Sequence, residues 1–169
     1  MIMIDIDLIW GDGSRFDGSF LHEWLNIKFV NDAFDAKEIK SISDMVLYDE
    51  KKEYNYIKKE SEIIKNYYLT KVFILTIDEI NEYLNDGAKM KVGAYASKYV
   101  QGIGNKAGGI FVNSENGFSP YWTRTYKAED VYTGYNRGHA VIADDSSYQS
   151  IGCDSIDIGV RPVLWVNIK

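Results

Sequence analysis

The chain has 169 residues, 46% of them apolar and 26% charged, which fits one globular domain with a core of its own and leaves little room for a second. Nineteen basic residues stand against 25 acidic ones, so at a net charge of −6 there is no basic field to hold a phosphate backbone, and nucleic acid is not an expected partner. One cysteine, Cys153, and two histidines, His22 and His139, rule out an internal disulfide framework and make a zinc site improbable, so neither metal nor cofactor is expected.

In chain order, Met1 to Ile4 is apolar but is cut by Asp5 and Asp7 with no basic residue before it. It reads as neither a signal peptide nor a membrane span, so membrane insertion is not expected and the location stays open. From Ser19 to Phe29, apolar residues at 20, 21, 24, 25 and 27 or 28 predict an amphipathic helix with Ser19 as its cap. Asp35-Ala36-Lys37-Glu38 has capping-box spacing and predicts a short helix through about Ser41. Met45 to Tyr48 has strand-like content. Glu50 to Lys65 is charge-rich with scattered Tyr and Ile, and reads as a helix or as a solvated excursion, with 49 to 70 as a charged insertion.

Lys71 to Leu75 is a β-branched and aromatic run, expected as a buried strand that leads through Thr76-Ile77-Asp78-Glu79, a second capping box, into a helix stopped by Gly87. Beyond residue 92 the composition changes: 10 of the 14 glycines lie there with both prolines, and charge falls to 7 basic and 7 acidic residues against 12 and 18 before it. Short strands are predicted at Gly109 to Val112, Tyr121 to Thr125, Asp130 to Tyr135, Gly138 to Ala143, and Ile156 to Ile168 with a break at Pro162. With no repeat and no linker, the expectation is a single α+β domain spanning 1–169.

Motifs that carry chemistry are weak. His139, Asp144, Asp145, Ser146 and Ser147 supply the residue types of a hydrolytic triad, but no Gly-x-Ser-x-Gly elbow presents a serine, so no catalytic residue is assigned. Cys153 precedes Asp154, whose carboxylate would raise a thiol pKa and not activate it. Asp5, Asp7, Asp12 and Asp17 lack the EF-hand pattern, and Gly102-Ile103-Gly104-Asn105-Lys106-Ala107 is followed by two glycines where a dinucleotide fingerprint needs a helix. What remains is aromatic and polar crowding between 121 and 148. Tyr132, Tyr135, Asn136, Arg137, His139 and Tyr148, set among Gly, Asp and Ser, have the composition of a recognition surface, with packing on strands as the competing reading.

Tyr121-Trp122-Thr123-Arg124-Thr125, followed later by Gly159-Val160-Arg161-Pro162-Val163-Leu164-Trp165, resembles the paired Trp-x-Arg-Ser and Gly-Val-Arg-Pro-Ala-Leu-Trp motifs of a bacterial family, domain of unknown function 6273. Phe20 to Asn26 around Trp24 with Ala33-Phe34, Val72 to Glu79, and Ala94-Tyr95-Ala96 are similar to three further segments of that family, in order. The resemblance implies a C-type-lectin-like fold, related to formylglycine-generating enzymes and to the variable proteins of diversity-generating retroelements, with relatives often at the cell surface. Its activity is unknown. Only Met1 to Trp10 stands where the family has a strand pair, so the first strands are expected to be truncated or rebuilt. Trp24, Trp122, Arg124, Arg161 and Trp165 are expected as scaffold, with Trp122 and Trp165 buried, and Arg161 and Trp165 sharing a strand face.

The functional expectation is a non-enzymatic recognition module for a glycan or protein surface. The alternatives are a retroelement-diversified binding protein, suited by the Tyr, Asn, Asp and Ser content, and an enzyme of the formylglycine-generating kind, which one cysteine does not suit.

Overall fold

The computed structural model describes residues 15–55, 57–83, 94–95, 117–126, 139–142, 148–151 and 158–168. Phe16 is wholly buried, and its carbonyl accepts from the Ser19 N–H at 3.1 Å across a turn in which Gly18 takes φ 73°, a conformation that glycine adopts without a steric penalty. The Ser19 hydroxyl then accepts from the His22 N–H at 3.1 Å and caps the helix. Helix α1 (Phe20–Trp24) runs into a π-helical segment (Leu25–Phe29) and ends as α2 (Val30–Ala33). Its buried face is narrower than the sequence pattern predicts. Leu21 and Leu25 are wholly buried, while Ile27 faces solvent, because two positions past Leu25 is about half a turn away, on the opposite side of the helix.

Helix α3 (Ala36–Ser41) begins with the predicted capping box: Asp35 Oδ1 accepts from the amides of Lys37 and Glu38 at 2.7 and 2.8 Å, and the Glu38 carboxylate accepts from the Asp35 N–H at 2.8 Å.

The segment 49–70 corrects the sequence reading, being neither helix nor solvated excursion. Strands β1 (Met45–Asn55) and β2 (Glu60–Thr70) pair antiparallel along their full length as one hairpin. Its loop is closed with Lys59 at φ 56°. The alternation that builds it is present at the core end, where Leu47, Asp49 and Thr70 are buried while Val46, Tyr48, Tyr67 and Leu69 face out. Further along, register sets Glu50 against Lys65, a pair of unlike charges, while Lys51 and Lys52 stand opposite Ile64 and Ile63, and Glu53 opposite Glu62.

β3 (Val72–Phe73) is buried and pairs antiparallel with β9 (Val163–Leu164). Helix α4 (Ile77–Tyr83) follows with its predicted box reciprocal: Thr76 Oγ1 accepts from the Glu79 N–H at 3.1 Å, and Glu79 Oε2 accepts from the Thr76 N–H at 2.8 Å. β4 (Ala94–Tyr95) pairs with β5 (Phe118–Ser119), and β6 (Tyr121–Tyr126), β7 (His139–Ile142) and β8 (Tyr148–Ile151) form a three-stranded antiparallel sheet. The structure is therefore α+β: the described helices lie in the first half, which also holds the long β1–β2 hairpin, and the described strands after α4 are short and pair antiparallel.

Within the predicted strand over 156–168, the described residues, 158–168, form a regular strand at Val163–Leu164 only. Before Pro162, which has no N–H to give a ladder, Gly159 bridges Tyr121; after it, Val166 bridges Ile42. This one segment thus ties β6, β3 and the end of α3 together. The core between them comprises Phe16, Leu21, Leu25, Val30, Leu47, Val72, Phe73, Ile74, Trp122, Ile158 and Val160. The strands predicted at 109–112 and 130–135, and the stop at Gly87, lie outside the described residues.

Candidate functional site

On β6, Trp122 and Arg124 are two apart and both turn inward, Trp122 only 1% exposed. From β6, Arg124 spreads its guanidinium between two other elements. One terminal nitrogen donates to the Tyr48 carbonyl on β1 at 3.0 Å and lies 3.7 Å from Asp49 Oδ1; the other donates to the Glu79 carboxylate at the start of α4. Asp49 is itself held, accepting from the Asp17 N–H at 2.9 Å and the Tyr68 hydroxyl at 3.0 Å. Two hydrogen bonds and an arginine 3.7 Å away offset the cost of burying this carboxylate. Burial, followed by the Asp49 charge, pushes the Tyr68 hydroxyl far above its ordinary acidity range, so it stays a proton donor to Asp49 at any physiological pH. The cluster therefore braces the hairpin, β6 and α4, and it holds no activated nucleophile.

A second node is Asn26, in the π-helical segment. Its Nδ2 donates to the carbonyls of His22 and Val72, each at 2.9 Å. Its Oδ1 accepts from the amides of Lys71 and Val72 at 2.8 and 3.0 Å and lies 3.1 Å from Thr70 Oγ1. The side-chain amide thus pairs with both polar groups of Val72, as a neighbouring strand would.

His22 lies between the rings of Phe16 and Tyr68, at 5.0 and 5.4 Å, with Nδ1 3.8 Å from Asp17 Oδ1. Burial lowers its pKa below the ordinary 6.5, partly opposed by the charges of Asp17 and Asp49. In the window between that lowered value and 6.5 the unfolded chain binds more protons than the folded one, so stability rises with pH there and is lost as pH falls through 6.5. The expected result is a urea midpoint that drops between pH 7.5 and 5.5, with a smaller drop in His22→Gln. His139→Gln serves as the control.

Arg161 and Trp165 depart from the sequence reading. They do not share a strand face, since the strand between them is only Val163–Leu164. Arg161 lies over the Tyr121 ring, 5.4 Å from its centre. Trp165, expected buried, is 47% exposed because the chain leaves β9 at Leu164 and runs along Ile42 at the surface. Its backbone is nevertheless fixed: the Trp165 carbonyl accepts from the Ser43 N–H at 2.9 Å, and the Asn167 N–H donates to the Ser41 carbonyl at 2.9 Å. Against the indole stands Tyr83, the last described residue of α4 and 53% exposed, with ring centres 6.2 Å apart and planes at 88°.

Of the residues predicted to meet a ligand, Tyr132, Tyr135, Asn136 and Arg137 lie outside the described residues, as do Cys153, Asp144, Asp145, Ser146 and Ser147. His139 stands on β7 in register with Ile151 and Tyr126, and Tyr148 on β8 with Ile142, so both belong to the same small sheet as Trp122 and Arg124. Trp24 is partly buried and stacks on Phe29 with ring centres 5.6 Å apart. Among the described residues, no group of three or more His, Cys, Asp or Glu side chains is placed to hold a metal ion, and no helix is long and apolar enough to cross a membrane. The sequence reading did not single out Asp49, Tyr68 or Tyr83. The first two were signalled by period-two alternation in a stretch whose charges suggested otherwise.

A family model described as domain of unknown function (DUF6273) matches residues 11–168. The chain belongs to this family. The match takes in every node above, from the Trp-Leu-Asn helix that supplies Asn26 to the Arg-Pro-x-Leu-Trp segment that exposes Trp165. No curated protein and no solved structure matches the chain.

Proposed function

We propose that this DUF6273 domain is a non-enzymatic recognition module for a glycan or a protein surface, built on the C-type-lectin-like fold that its motifs imply. The observation that carries the reading is the Trp165–Tyr83 corner: two large aromatic side chains, each about half exposed, edge to face, on a backbone pinned by Ser43 and Ser41. Rigid, amphipathic aromatic area is ordered at low entropic cost, which is why tryptophan and tyrosine dominate binding hot spots. An indole face accepts the C–H face of a sugar ring as readily as an apolar side chain. The stretch from Tyr132 to Tyr148 belongs to the same proposal as a second contact region.

A glycan and peptide array with three proteins tests it. Wild type should bind a limited set of ligands, and Trp165→Ala should lose them with a thermal midpoint shifted by only a few degrees, since the side chain is half solvated. Retention by Trp165→Ala with loss in a Tyr132→Ala, Tyr135→Ala, Tyr148→Ala variant would move the site to the later stretch. Absence of binding by wild type would sink the recognition reading.

A further inference from the structure

The outer face of the β1–β2 hairpin carries Val46, Tyr48, Ile63, Tyr67 and Leu69, each between 41% and 67% exposed. Val46 stands opposite Leu69 and Tyr48 opposite Tyr67, with the two tyrosine rings 5.6 Å apart, so the side chains form one contiguous strip along the ribbon. Lys65 extends it, its ammonium 4.2 Å above the Tyr48 ring. A two-stranded ribbon is marginal by itself in water. This one runs for 11 residues a strand, and among its described side chains the buried ones, Leu47, Asp49 and Thr70, lie at the core end.

We infer that this face is a self-association surface, covered in solution by the same face of a second copy of the chain. Two arguments select that occupant. The first is area: the five side chains expose on the order of 500 Å², near the upper end of the patch a monomer shows, and doubling it across a two-fold axis reaches about 1,000 Å², where specific interfaces begin. The second is charge. A chain of net charge −6 repels its own copies over most of its surface, but the six described side chains of this strip include no carboxylate and one lysine, and Lys65 stands in register with Glu50. Register places one acid on this face, Glu50, directly across from Lys65, so two copies meeting here bring one lysine for each acid, and apolar strips of one kind are self-complementary in an isologous pair. The pairing makes no use of the Trp165–Tyr83 corner and stands or falls apart from it.

Sedimentation velocity of wild type and of a Tyr67→Glu, Leu69→Glu double variant, over a roughly hundredfold range of micromolar concentration, decides the matter. The expected result is a wild-type weight-average mass that climbs toward twice that of the chain, and a variant that stays monomeric throughout. The two changed residues are solvated in the monomer, so an unchanged far-ultraviolet circular dichroism spectrum and thermal midpoint at the lowest concentration would show that the variant folds. A wild type that remains monomeric at every concentration overturns the inference, and would leave the strip to a different partner. Dimerisation that persists in the variant overturns it equally, by placing the interface elsewhere.

Discussion

Arg124→Ala is expected to cost about 4 kcal/mol of folding stability, because breaking a buried ion pair from one side leaves the remaining charges uncompensated. The Arg124 side chain is 5% exposed, Asp49 6% and Glu79 20%, so neither carboxylate recovers full hydration when the guanidinium is removed. The Tyr48 carbonyl loses its donor as well. Arg124→Lys keeps the charge but has one nitrogen where the native side chain uses two, directed at separate elements, and is expected to recover less than half of the loss. Asp49→Asn retains an oxygen for the Asp17 amide and should be the mildest of the three, at about 1–2 kcal/mol. For a chain of this size a loss of 4 kcal/mol lowers the melting midpoint by roughly 10 °C or more. Urea denaturation read by tryptophan fluorescence and by circular dichroism would test both the size and the order. Arg124→Ala within about 0.5 kcal/mol of wild type would mean that Arg124 does not brace the fold.

Much of this architecture is legible in the sequence where the signal is local. The caps at Ser19, Asp35 and Thr76 depend on residues three apart, and each forms with the predicted geometry. The strands at 121–125 and 138–143 are bounded by their own turn residues and appear as β6 and β7. What fails is longer in range. The hairpin β1–β2 is hidden because its partner strand lies across a charge-rich stretch: Glu50 reads as part of a solvated run until register sets it opposite Lys65. Trp165 misleads for a related reason. A tryptophan after a β-branched strand reads as core, yet its exposure is set by where Ile42 captures the chain, more than 120 residues earlier. The same holds for the corner with Tyr83, which belongs to a helix whose start the sequence predicts well and stands beside a residue it places wrongly.

Asn26→Ala should show the clearest separation between a helix residue and a fold residue. On an isolated helix the change would be favourable, since alanine has the higher propensity. Here it removes the acceptor of the Lys71 and Val72 amides and the donor to the Val72 carbonyl, at the crossing from the hairpin into β3. Each such bond is worth about 1 kcal/mol net, and polar groups left buried without partners add to that, so a loss of about 3–4 kcal/mol is expected. Asn26→Asp keeps an acceptor for the two amides while losing both donated bonds, and is expected to fall about midway. The effect should also be local in hydrogen exchange: the Lys71 and Val72 amides should lose protection before those of α3, whose capping box makes no use of Asn26. A uniform loss across the chain would instead mean that the Asn26 contact cannot open without global unfolding. The seam between the π-helical turn and β3 would then be part of the cooperative core, alongside Leu25 and Val72, which are already packed within it.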